Sequence, residues 1–467
     1  MALHEVDVVV LGLGPGGEHA AAELARAGLT VVGVEKHLVG GECPYYGCIP
    51  SKMLIRAANS LAEARRVSVL AGSAEVHPDF AVVAERISKE ATDAWDDTVA
   101  ADRLKAAGAQ LRRGSGTLVG PRRVRVGEDE YRAGLGVLLN TGTAPAVPPI
   151  PGLAETPFWT NRDIVQQSKL PRSLVVLGGG AVGVEMAQAF ARFGSEVTII
   201  EAGDRLIAAE EPESSKVLRE VLSSEGIHIH LGASVESVTH QDTFTLTLKG
   251  GTQVIGERLL VAAGRDAGLK GLGLANAGTA PAGRRVAVDE HMRAADGLWA
   301  IGDITGHGAF THMSMYQAKI AIQDILGRPG PTADYRAVPH VTFTDPEIGA
   351  VGLSERQARD AGLRIAIGKS SVPESSRGWI HKIGNEGFFK IVVDADRDVL
   401  VGASAVGPNG GEVLGMLTLA IAAEVPTTTI GNMITAYPTF HRGLQTAFEN
   451  LKTDGQHWPV CCDAPIK

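Results

Sequence analysis

The four cysteines are the residues of this chain whose spacing most directly suggests chemistry. Cys43 and Cys48 are five positions apart, and Cys461 and Cys462 are adjacent near the C-terminus. Four cysteines in 467 residues are too few for a disulfide framework, so the close pairs indicate redox or metal chemistry. The gap between Cys43 and Cys48 is wider than in most zinc sites, and no second Cys/His pair follows nearby. We therefore predict a redox-active pair at Cys43 and Cys48, with a purely structural pair as the alternative.

A strand–turn–helix–strand pattern that could hold a redox cofactor near such cysteines occurs twice in the sequence. Each copy has a buried strand, a G-x-G-x-x-G turn, the start of a helix and a second strand that ends in a glutamate. The residues are Gly12, Gly14, Gly17 and Glu35 in the first copy, and Gly178, Gly180, Gly183 and Glu201 in the second. Glycines let the backbone approach a pyrophosphate, the helix N-terminus attracts its charge, and the carboxylate accepts hydrogen bonds from ribose hydroxyls. The repeat predicts two dinucleotide sites, one passing electrons to the other; tight turns in another α/β protein are the alternative.

Composition restricts the possible partners and location. Apolar residues make up 44% and charged residues 21% of the chain, as is usual for a globular protein. The net charge of -9 argues against nucleic acid as the main partner, since phosphate backbones require a basic face. No apolar run approaches the roughly 20 residues needed to cross a bilayer, and the N-terminus does not read as a signal peptide. We expect a cytoplasmic protein without membrane or nucleic-acid partners.

Several longer motifs identify a family that the chain resembles. The segment GGECPYYGCIPSK (40–52) contains the first cysteine pair. The other motifs are NTGTAP (140–145), VAAGR (261–265), LWAIGDITG (298–306) and FTDPEIGAVGLSE (343–355). With these motifs the sequence resembles, along essentially its whole length, the pyridine nucleotide–disulfide oxidoreductases, the class I flavoprotein disulfide reductases.

The resemblance implies an α/β fold with two Rossmann-like dinucleotide-binding domains and a C-terminal α+β dimerisation domain. The FAD-binding domain would comprise residues 1–150 and 265–335, and the NAD(P)-binding domain residues 151–264. Residues 336–467 would form the interface domain with a C-terminal tail. The Pro-rich stretch at 145–152 suits the first crossing between domains. The family further implies a homodimer whose active site is shared between subunits.

The resemblance also implies roles for particular residues. FAD would be bound by Gly12, Gly14, Gly17, Glu35, Lys52, Gly116, Thr141, Gly142 and Asp303, and NAD(P) by Gly178, Gly180, Gly183, Glu201 and Gly264. NADH would reduce the flavin, and the flavin would open the Cys43–Cys48 disulfide. Cys48 would remain beside the ring as a thiolate and Cys43, the outer sulfur, would attack the substrate. Lys52 and Glu185 would form an ion pair beside the flavin, although without the resemblance both would be taken for solvated helix residues.

Local chemistry adds two expectations. A reactive thiolate requires positive charge or a helix N-terminus, and the run after Cys48 (49–64) predicts such a helix. At the second dinucleotide site, Glu201 suits the free 2′-hydroxyl of NADH and repels the 2′-phosphate of NADPH. NADH is therefore favoured over NADPH, although Arg205 lies close enough in sequence to weaken this preference.

The C-terminus departs from the usual disulfide reductases. These enzymes carry His-Pro-x-x-x-Glu, but Tyr437 stands here at the histidine position and Arg442 at the glutamate position, while His441 is available for another role. Tyrosine is a poor base near neutral pH. Mercuric reductases are similar in having this tyrosine and an adjacent cysteine pair near the C-terminus. Cys461 and Cys462 would then act as a transient Hg(II) relay, because soft thiolates prefer soft metals.

Other features depart from mercuric reductases. Phe158 stands where a second active-site tyrosine is expected, and Tyr45 and Tyr46 are bulkier than the usual residues between the cysteines. Mercuric reductases usually use NADPH, whereas Glu201 favours NADH. The C-x-x-C of an N-terminal metal-binding domain, which some mercuric reductases carry, does not occur in this sequence.

Three functions therefore remain in competition. The first is reduction of a soft metal ion. The second is reduction of a small disulfide or a quinone, with protons from water, Tyr437 or His441. The third is a non-catalytic flavoprotein that serves as a redox sensor or scaffold, against which the intact glycine motifs, acids and cysteines argue. The tail cysteines could also be inert, and Tyr437 could be a packing residue at the dimer interface.

Overall fold

The first part of the chain forms most of a parallel sheet with helices packed against it. The structure is a computed structural model that describes residues 2–453 and 456–457. The strands of this part are β1 (Ala2–Leu11), β2 (Val31–Glu35), β3 (Gln110–Arg113), β4 (Gly116–Gly120), β5 (Arg123–Val126), β6 (Asp129–Leu139) and β7 (Ala144–Pro145). Its helices are α1 (Pro15–Arg26), α2 (Glu42–Tyr45), α3 (Cys48–Leu70), α4 (Phe80–Arg86) and α5 (Thr98–Ala106), with a π-helical turn at Ile87–Ala91 and a 3-10 turn at Asp93–Trp95. Strand β1 pairs in parallel with β2 and β6, and its apolar end is buried between them, as a continuous apolar run predicts.

The middle of the chain forms a second, smaller sheet. The strands are β8 (Ser173–Leu177), β9 (Glu196–Ile200), β10 (His228–His230), β11 (Val235–His240), β12 (Phe244–Leu248), β13 (Gln253–Gly256) and β14 (Arg258–Val261). The helices are α6 (Asn161–Ile164), α7 (Ala181–Phe193) and α8 (Pro212–Ser224). Four strands pair in parallel in the order β10-β9-β8-β14, and β11 to β13 form an antiparallel meander.

The chain then returns to the first sheet. This part contains β15 (Arg265–Asp266), β16 (Pro281–Ala282), β17 (Arg285–Val286), β18 (Arg293–Ala295), β19 (Leu298–Ala300) and α9 (Thr311–Ile325), with 3-10 turns at Leu274–Ala277 and Gly302–Thr305. Strand β19 joins β6 in parallel, so six strands of the first sheet follow the order β18-β19-β6-β1-β2-β3, while β5 pairs antiparallel with β6 and β4 with β5. Strand β15 pairs with β7, so the two crossings between the sheets lie side by side. The first sheet is thus built from two separate stretches of chain, whereas the exact domain boundaries stay a prediction.

The last part forms an antiparallel sheet with helices packed against it. Its strands are β20 (Pro339–Thr342), β21 (Glu347–Gly352), β22 (Ile365–Ser371), β23 (Phe388–Asp394), β24 (Val399–Gly407), β25 (Lys452–Thr453) and β26 (Gln456–His457). Its helices are α10 (Glu355–Asp360), α11 (Ser376–His381), α12 (Gly410–Ala422), α13 (Thr427–Gly431) and α14 (Phe440–Glu449). The strand order is β20-β21-β24-β23-β22-β25-β26, and α12 and α14 bury their apolar faces in the same core as the sheet. The predicted fold class, with two Rossmann-like dinucleotide-binding units and a C-terminal α+β unit, is confirmed.

The lengths and hydropathy of the helices bear on whether the chain could cross a membrane. Among the described residues, none forms a helix that is both long and apolar enough to cross a bilayer. The cytoplasmic location stays a prediction.

A buried lysine joins the second sheet region to the C-terminal sheet. Lys390 on β23 is 2% exposed, and its ammonium lies 2.9 Å from Glu211, 3.2 Å from Glu213 and 2.8 Å from Glu355. Burial would lower the pKa of Lys390, but its hydrogen bonds to Glu355 and Glu211 outweigh that effect and raise it. The lysine is therefore charged and depends on its three carboxylate partners, which in turn depend on it.

Replacing this lysine tests that dependence. Lys390→Met keeps much of the side-chain volume but leaves the buried Glu211 and the half-buried Glu213 and Glu355 without their cation, and we expect a loss of about 3–5 kcal/mol in the free energy of unfolding. Urea denaturation followed by circular dichroism measures the change. The control is Lys89→Met, because Lys89 makes an exposed pair with Glu85 outside this cluster and its removal should leave the free energy of unfolding nearly unchanged. Equal losses in the two variants would contradict the interpretation.

Candidate active site

The first glycine turn forms a cradle for a phosphate group. Gly12 has a φ of +92°, and a Cβ there would lie 2.3 Å from the carbonyl oxygen of Asn140. A Cβ on Gly17 would lie 2.0 Å from the carbonyl oxygen of Gly12. Neither position accepts a side chain, so the turn can be this tight only with glycine. Gly14 then caps α1, whose N-terminus faces the cleft described below.

Glu35, at the end of β2, is held against this turn. One carboxylate oxygen accepts a hydrogen bond from the Leu13 amide at 2.7 Å and the other accepts one from the His37 amide at 2.8 Å. The residue is only 8% exposed, but it lines the same cleft as the glycines. Its orientation is therefore set by the backbone, and each oxygen keeps a further lone pair for a ribose hydroxyl.

A cleft of about 1470 Å³ runs from the glycine turn to the cysteine pair. Its lining contains every residue predicted for FAD except Gly17, namely Gly12, Gly14, Glu35, Lys52, Gly116, Thr141, Gly142 and Asp303. The hydroxyl of Thr141 is buried and has no hydrogen-bond partner within the described part of the chain. A buried, unpaired hydroxyl beside a glycine cradle fits a polar ligand in this cleft, and the residues present therefore fit FAD.

The second glycine turn repeats the geometry. Gly178 has a φ of +115°, and a Cβ there would lie 2.4 Å from the carbonyl oxygen of Ala262. Glu201 accepts hydrogen bonds from the backbone amides of Gly179 and Gly203, both at 2.6 Å. A separate cleft of about 620 Å³ is lined by Gly178, Glu201 and two other predicted residues, Gly180 and Gly264, while Gly183 packs beneath the turn. These residues fit a nicotinamide dinucleotide.

Asp303 is placed in the first cleft by residues that the sequence analysis did not single out. It accepts a hydrogen bond from the Thr143 hydroxyl at 2.6 Å, and Arg265 lies 4.0 Å away. Arg265 also donates to the hydroxyl and the carbonyl of Thr143, at 2.6 and 2.9 Å. Thr143 and Arg265 occur in the motifs NTGTAP and VAAGR, so these motifs could have indicated both residues as part of the site.

The cysteine pair lies on two successive helices that face the first cleft. Cys43 is on the short α2, and Cys48 is the first residue of α3, which confirms the helix predicted after Cys48. Both thiols are free in this structure; Cys48 is exposed to the cleft and Cys43 is half-buried. The N-terminus of a 23-residue helix thus meets the inner sulfur.

The two sulfurs differ strongly in acidity. The hydrogen bond from Cys43 lowers the pKa of Cys48 to about 6 against the opposing effect of burial, aided by the Thr311 hydroxyl and the charge of Lys52. The same hydrogen bond, together with burial, raises the pKa of Cys43. At neutral pH the proton therefore resides on Cys43 and the negative charge on Cys48. The Thr311 oxygen lies 3.3 Å from the Cys48 sulfur and 263 positions away in the chain, so no local spacing could have indicated it.

Lys52 and Glu185 form an ion pair in this cleft. The lysine, one helical turn after Cys48, donates to the glutamate on α7 at 2.8 Å. The other carboxylate oxygen accepts a hydrogen bond from the Phe343 amide at 2.8 Å, and the lysine nitrogen lies 4.8 Å from the centre of the Phe343 ring. Glu185 is 4% exposed, so it is not the solvated helix residue that its sequence context alone suggests.

The C-terminal residues lie apart from the cleft of their own chain. Tyr437 is 72% exposed, and its hydroxyl donates to the Ser376 hydroxyl at 3.1 Å. His441 and Arg442 lie on α14, and none of the three lines the cleft. A site shared between subunits therefore stays a prediction. Cys461 and Cys462 lie outside the described residues.

The structure also bears on metal binding and on the three aromatic residues that differ from those of mercuric reductases. Within residues 2–453 and 456–457, no group of three or more His, Cys, Asp or Glu side chains is placed to hold a metal ion. Phe158 packs against the apolar core beside the second sheet. Tyr45 is buried, and Tyr46 lines the first cleft.

Comparison with known proteins identifies the family. Residues 6–324 match the family described as pyridine nucleotide-disulphide oxidoreductase, and residues 338–448 match its dimerisation domain. The chain belongs to this family. Members of the family are NAD(P)H-dependent flavoprotein disulfide oxidoreductases, so the chain is an oxidoreductase with FAD and NAD(P) as cofactors, and the dimerisation domain supports a homodimer.

Individual relatives differ in their named activities. A dihydrolipoyl dehydrogenase of Thermus scotoductus is 34% identical, with 97% of this chain and 98% of the relative covered. A mercuric reductase of Staphylococcus aureus is 29% identical, with 98% of this chain and 84% of the relative covered. Among solved structures, the HOCl-induced flavoprotein disulfide reductase RclA from Escherichia coli superposes with a TM-score of 0.83 at 29% identity, covering 95% of this chain and 99% of RclA.

Thr311 provides a test of the cysteine geometry. Thr311→Val removes the hydroxyl that bonds the Cys48 thiolate, so we expect the pKa of Cys48 to rise from about 6 by about one unit. Because the thiolate predominates only above its pKa, the pH midpoint of the long-wavelength thiolate–flavin charge-transfer absorbance of the NADH-reduced protein should move upward by the same amount.

The matched control is Thr418→Val in the same cleft. Its hydroxyl donates to the Leu414 carbonyl of its own helix, so the midpoint of the charge-transfer absorbance should not move. An unchanged midpoint in Thr311→Val would show that the hydroxyl does not stabilise the thiolate.

Proposed function

We propose that this oxidoreductase passes electrons from NADH through FAD and the Cys43–Cys48 pair to a soft metal ion. The observation that carries the choice of acceptor is Tyr437, an exposed phenol at the position where disulfide reductases of this family have their acid–base histidine. An enzyme that releases thiols must protonate a departing thiolate, and a phenol is poorly suited to that task near neutral pH. Reduction of a metal ion bound by thiolates has no such requirement.

The residues of the first cleft have separate tasks in the reductive half. Bound FAD supplies a two-electron relay between NADH and the cysteine pair. Reduction of the disulfide takes two electrons and one proton and yields the Cys48 thiolate and the Cys43 thiol. The low pKa of Cys48 keeps the inner sulfur deprotonated, and Cys43 holds the proton. Lys52, paired with Glu185, keeps a positive charge beside the thiolate.

The metal half-reaction then balances without a dedicated acid. A Hg(II) ion, as substrate, binds both sulfurs and displaces the Cys43 proton to solvent. Two electrons pass from the sulfurs to the metal, which leaves as Hg(0) while the Cys43–Cys48 disulfide forms again. The net change is NADH and Hg(II) to NAD+, a proton and Hg(0). Cys461 and Cys462 would collect the ion and transfer it by ligand exchange.

The relatives support two acceptors. Mercuric reductases and the Cu(II) complex of RclA favour a thiophilic metal ion. The dihydrolipoyl dehydrogenases favour the second candidate, a small disulfide, with the proton supplied by water, Tyr437 or His441. A quinone is a further acceptor of that second kind.

We also propose that NADH is the preferred coenzyme. Both oxygens of Glu201, which lines the second cleft, are oriented by backbone amides. Arg205, which could have offset this carboxylate, donates to the carbonyls of Ala208 and Glu210 at 2.7 and 3.2 Å and does not line the cleft. A 2′-phosphate would therefore meet a fixed negative charge.

The acceptor is tested by anaerobic NADH oxidation with Hg(II) buffered by excess thiol, beside Cu(II), lipoamide and a soluble quinone. We expect Hg(II)-dependent turnover, slowed at least about tenfold in the Cys461→Ala/Cys462→Ala variant at low metal concentration, because the relay would raise the capture rate. Conversion to volatile Hg(0) is measured directly.

Controls separate the candidates. Cys43→Ser should abolish metal reduction while leaving flavin reduction by NADH intact, and Tyr437→Phe should leave metal reduction within about threefold if no phenolic proton is needed. Inhibition by Hg(II), combined with rapid turnover of lipoamide or quinone, would reject the metal proposal in favour of the second candidate.

Coenzyme preference is tested by comparing kcat/KM for NADH and NADPH. We expect NADH to be favoured at least about tenfold, and Glu201→Gln to reduce that ratio by removing the repulsive charge. Glu196→Gln, an exposed position at the start of β9, is the control and should leave the ratio unchanged. Preference for NADPH in the wild type would refute the proposal.

A further inference from the structure

The two clefts share a mouth. Four residues line both of them: Asn161, Ala181, Val182 and Arg265. In this family electrons pass between nicotinamide and flavin, so the nicotinamide ring must extend from the smaller cleft through this mouth into the larger one. The geometry of these four residues therefore limits how the ring approaches the flavin.

The mouth has one apolar side and one polar side. Ala181 and Val182 begin α7 directly after the second glycine turn. Asn161 and Arg265 form the polar side, and both are contacted by a single carboxylate. Glu42 lies 3.0 Å from the Asn161 amide nitrogen and 3.5 Å from the Arg265 guanidinium.

A second arginine strengthens this contact. Arg162, next to Asn161 on α6, donates through Nε to Glu42 at 2.6 Å and lies 5.6 Å from the centre of the Tyr46 ring. Asn161 also donates to the carbonyl of Tyr46 at 3.0 Å. The segment that carries the redox cysteines is thus joined to α6 at Glu42 and again at Tyr46, on either side of Cys43.

Glu42 also balances local charge. Two guanidinium groups, those of Arg162 and Arg265, share this one carboxylate, and all three side chains are about one-third exposed or less. Without the carboxylate, the two cations would repel each other, and Arg265 and Asn161 would lose the partner that holds them at the side of the mouth.

We infer that Glu42 is a positioning residue for the nicotinamide half of the coenzyme. It holds Asn161 and Arg265 at one side of the shared mouth, so that the ring can pass Ala181 and Val182 and reach the flavin. It does not contact the adenine half, which belongs to the smaller cleft around Gly178 and Glu201. The inference depends on the nicotinamide chemistry of the family and is independent of the electron acceptor.

The test compares two ligands that differ in the nicotinamide ring. Isothermal titration calorimetry of the oxidised, FAD-loaded protein gives Kd for NAD+ and for ADP-ribose, which lacks the ring. Glu42→Gln should weaken NAD+ binding about fivefold or more and leave ADP-ribose binding within twofold. If the wild type prefers the phosphorylated coenzyme, NADP+ and 2′-phospho-ADP-ribose replace the pair.

Two further variants make the result decisive. Asn161→Ala should show the same selective loss of NAD+ affinity, and it replaces Glu42→Gln in the test if the Glu42→Gln variant does not bind FAD. Glu85→Gln breaks the exposed pair with Lys89, neither of which lines a cleft, and should change neither Kd. Equal weakening of both ligands, or no weakening of NAD+, would overturn the inference. So would loss of the long-wavelength thiolate–flavin charge-transfer band on reduction, because Glu42 would then act on the cysteines and not on the coenzyme.

Discussion

The ion pair between Lys52 and Glu185 is the interaction on which the arrangement of the active site most depends. It joins α3, which begins at the inner cysteine, to α7, which begins at the second glycine turn. The remaining carboxylate oxygen reaches the backbone of Phe343 in the C-terminal part of the chain. A glutamate this deeply buried must keep both partners, because an unpaired charge there would cost several kcal/mol. The need to satisfy one carboxylate thus holds three segments around one cleft.

The cysteine pair shows how this framework produces reactivity. Two thiols of the same type are separated in acidity by their mutual hydrogen bond, by the Thr311 hydroxyl and by the charge of Lys52. The groups come from two distant parts of the chain, since Lys52 follows Cys48 on α3 whereas Thr311 begins α9. A separated thiol and thiolate suit an acceptor that binds both sulfurs, since the proton held by Cys43, the sulfur predicted to attack the substrate, is displaced when that acceptor binds.

The discontinuous chain path explains how two cofactor clefts come to open toward each other. The chain leaves the first sheet near β7 and returns at β15, and these two short strands pair. Pairing at the crossing keeps the second sheet close to the first, and the residues beside it, Asn161 and Arg265, line both clefts. Electron transfer between two bound dinucleotides requires this proximity, because hydride moves only between groups in contact.

Local sequence determined much of this protein: the two glycine turns, Glu35 and Glu201 at their strand ends, and the helix after Cys48. These features depend on backbone conformations and periodicities that a few neighbouring residues impose. The family resemblance extended the prediction to the fold class and to the Lys52–Glu185 pair. Tertiary structure alone decided that Thr311 meets Cys48, that Arg205 turns away from the coenzyme cleft and that Glu42 holds the polar side of the shared mouth. These contacts join side chains that are far apart in sequence, or they depend on which rotamer a long side chain adopts. Both depend on how complete helices and strands pack together, which local sequence does not specify.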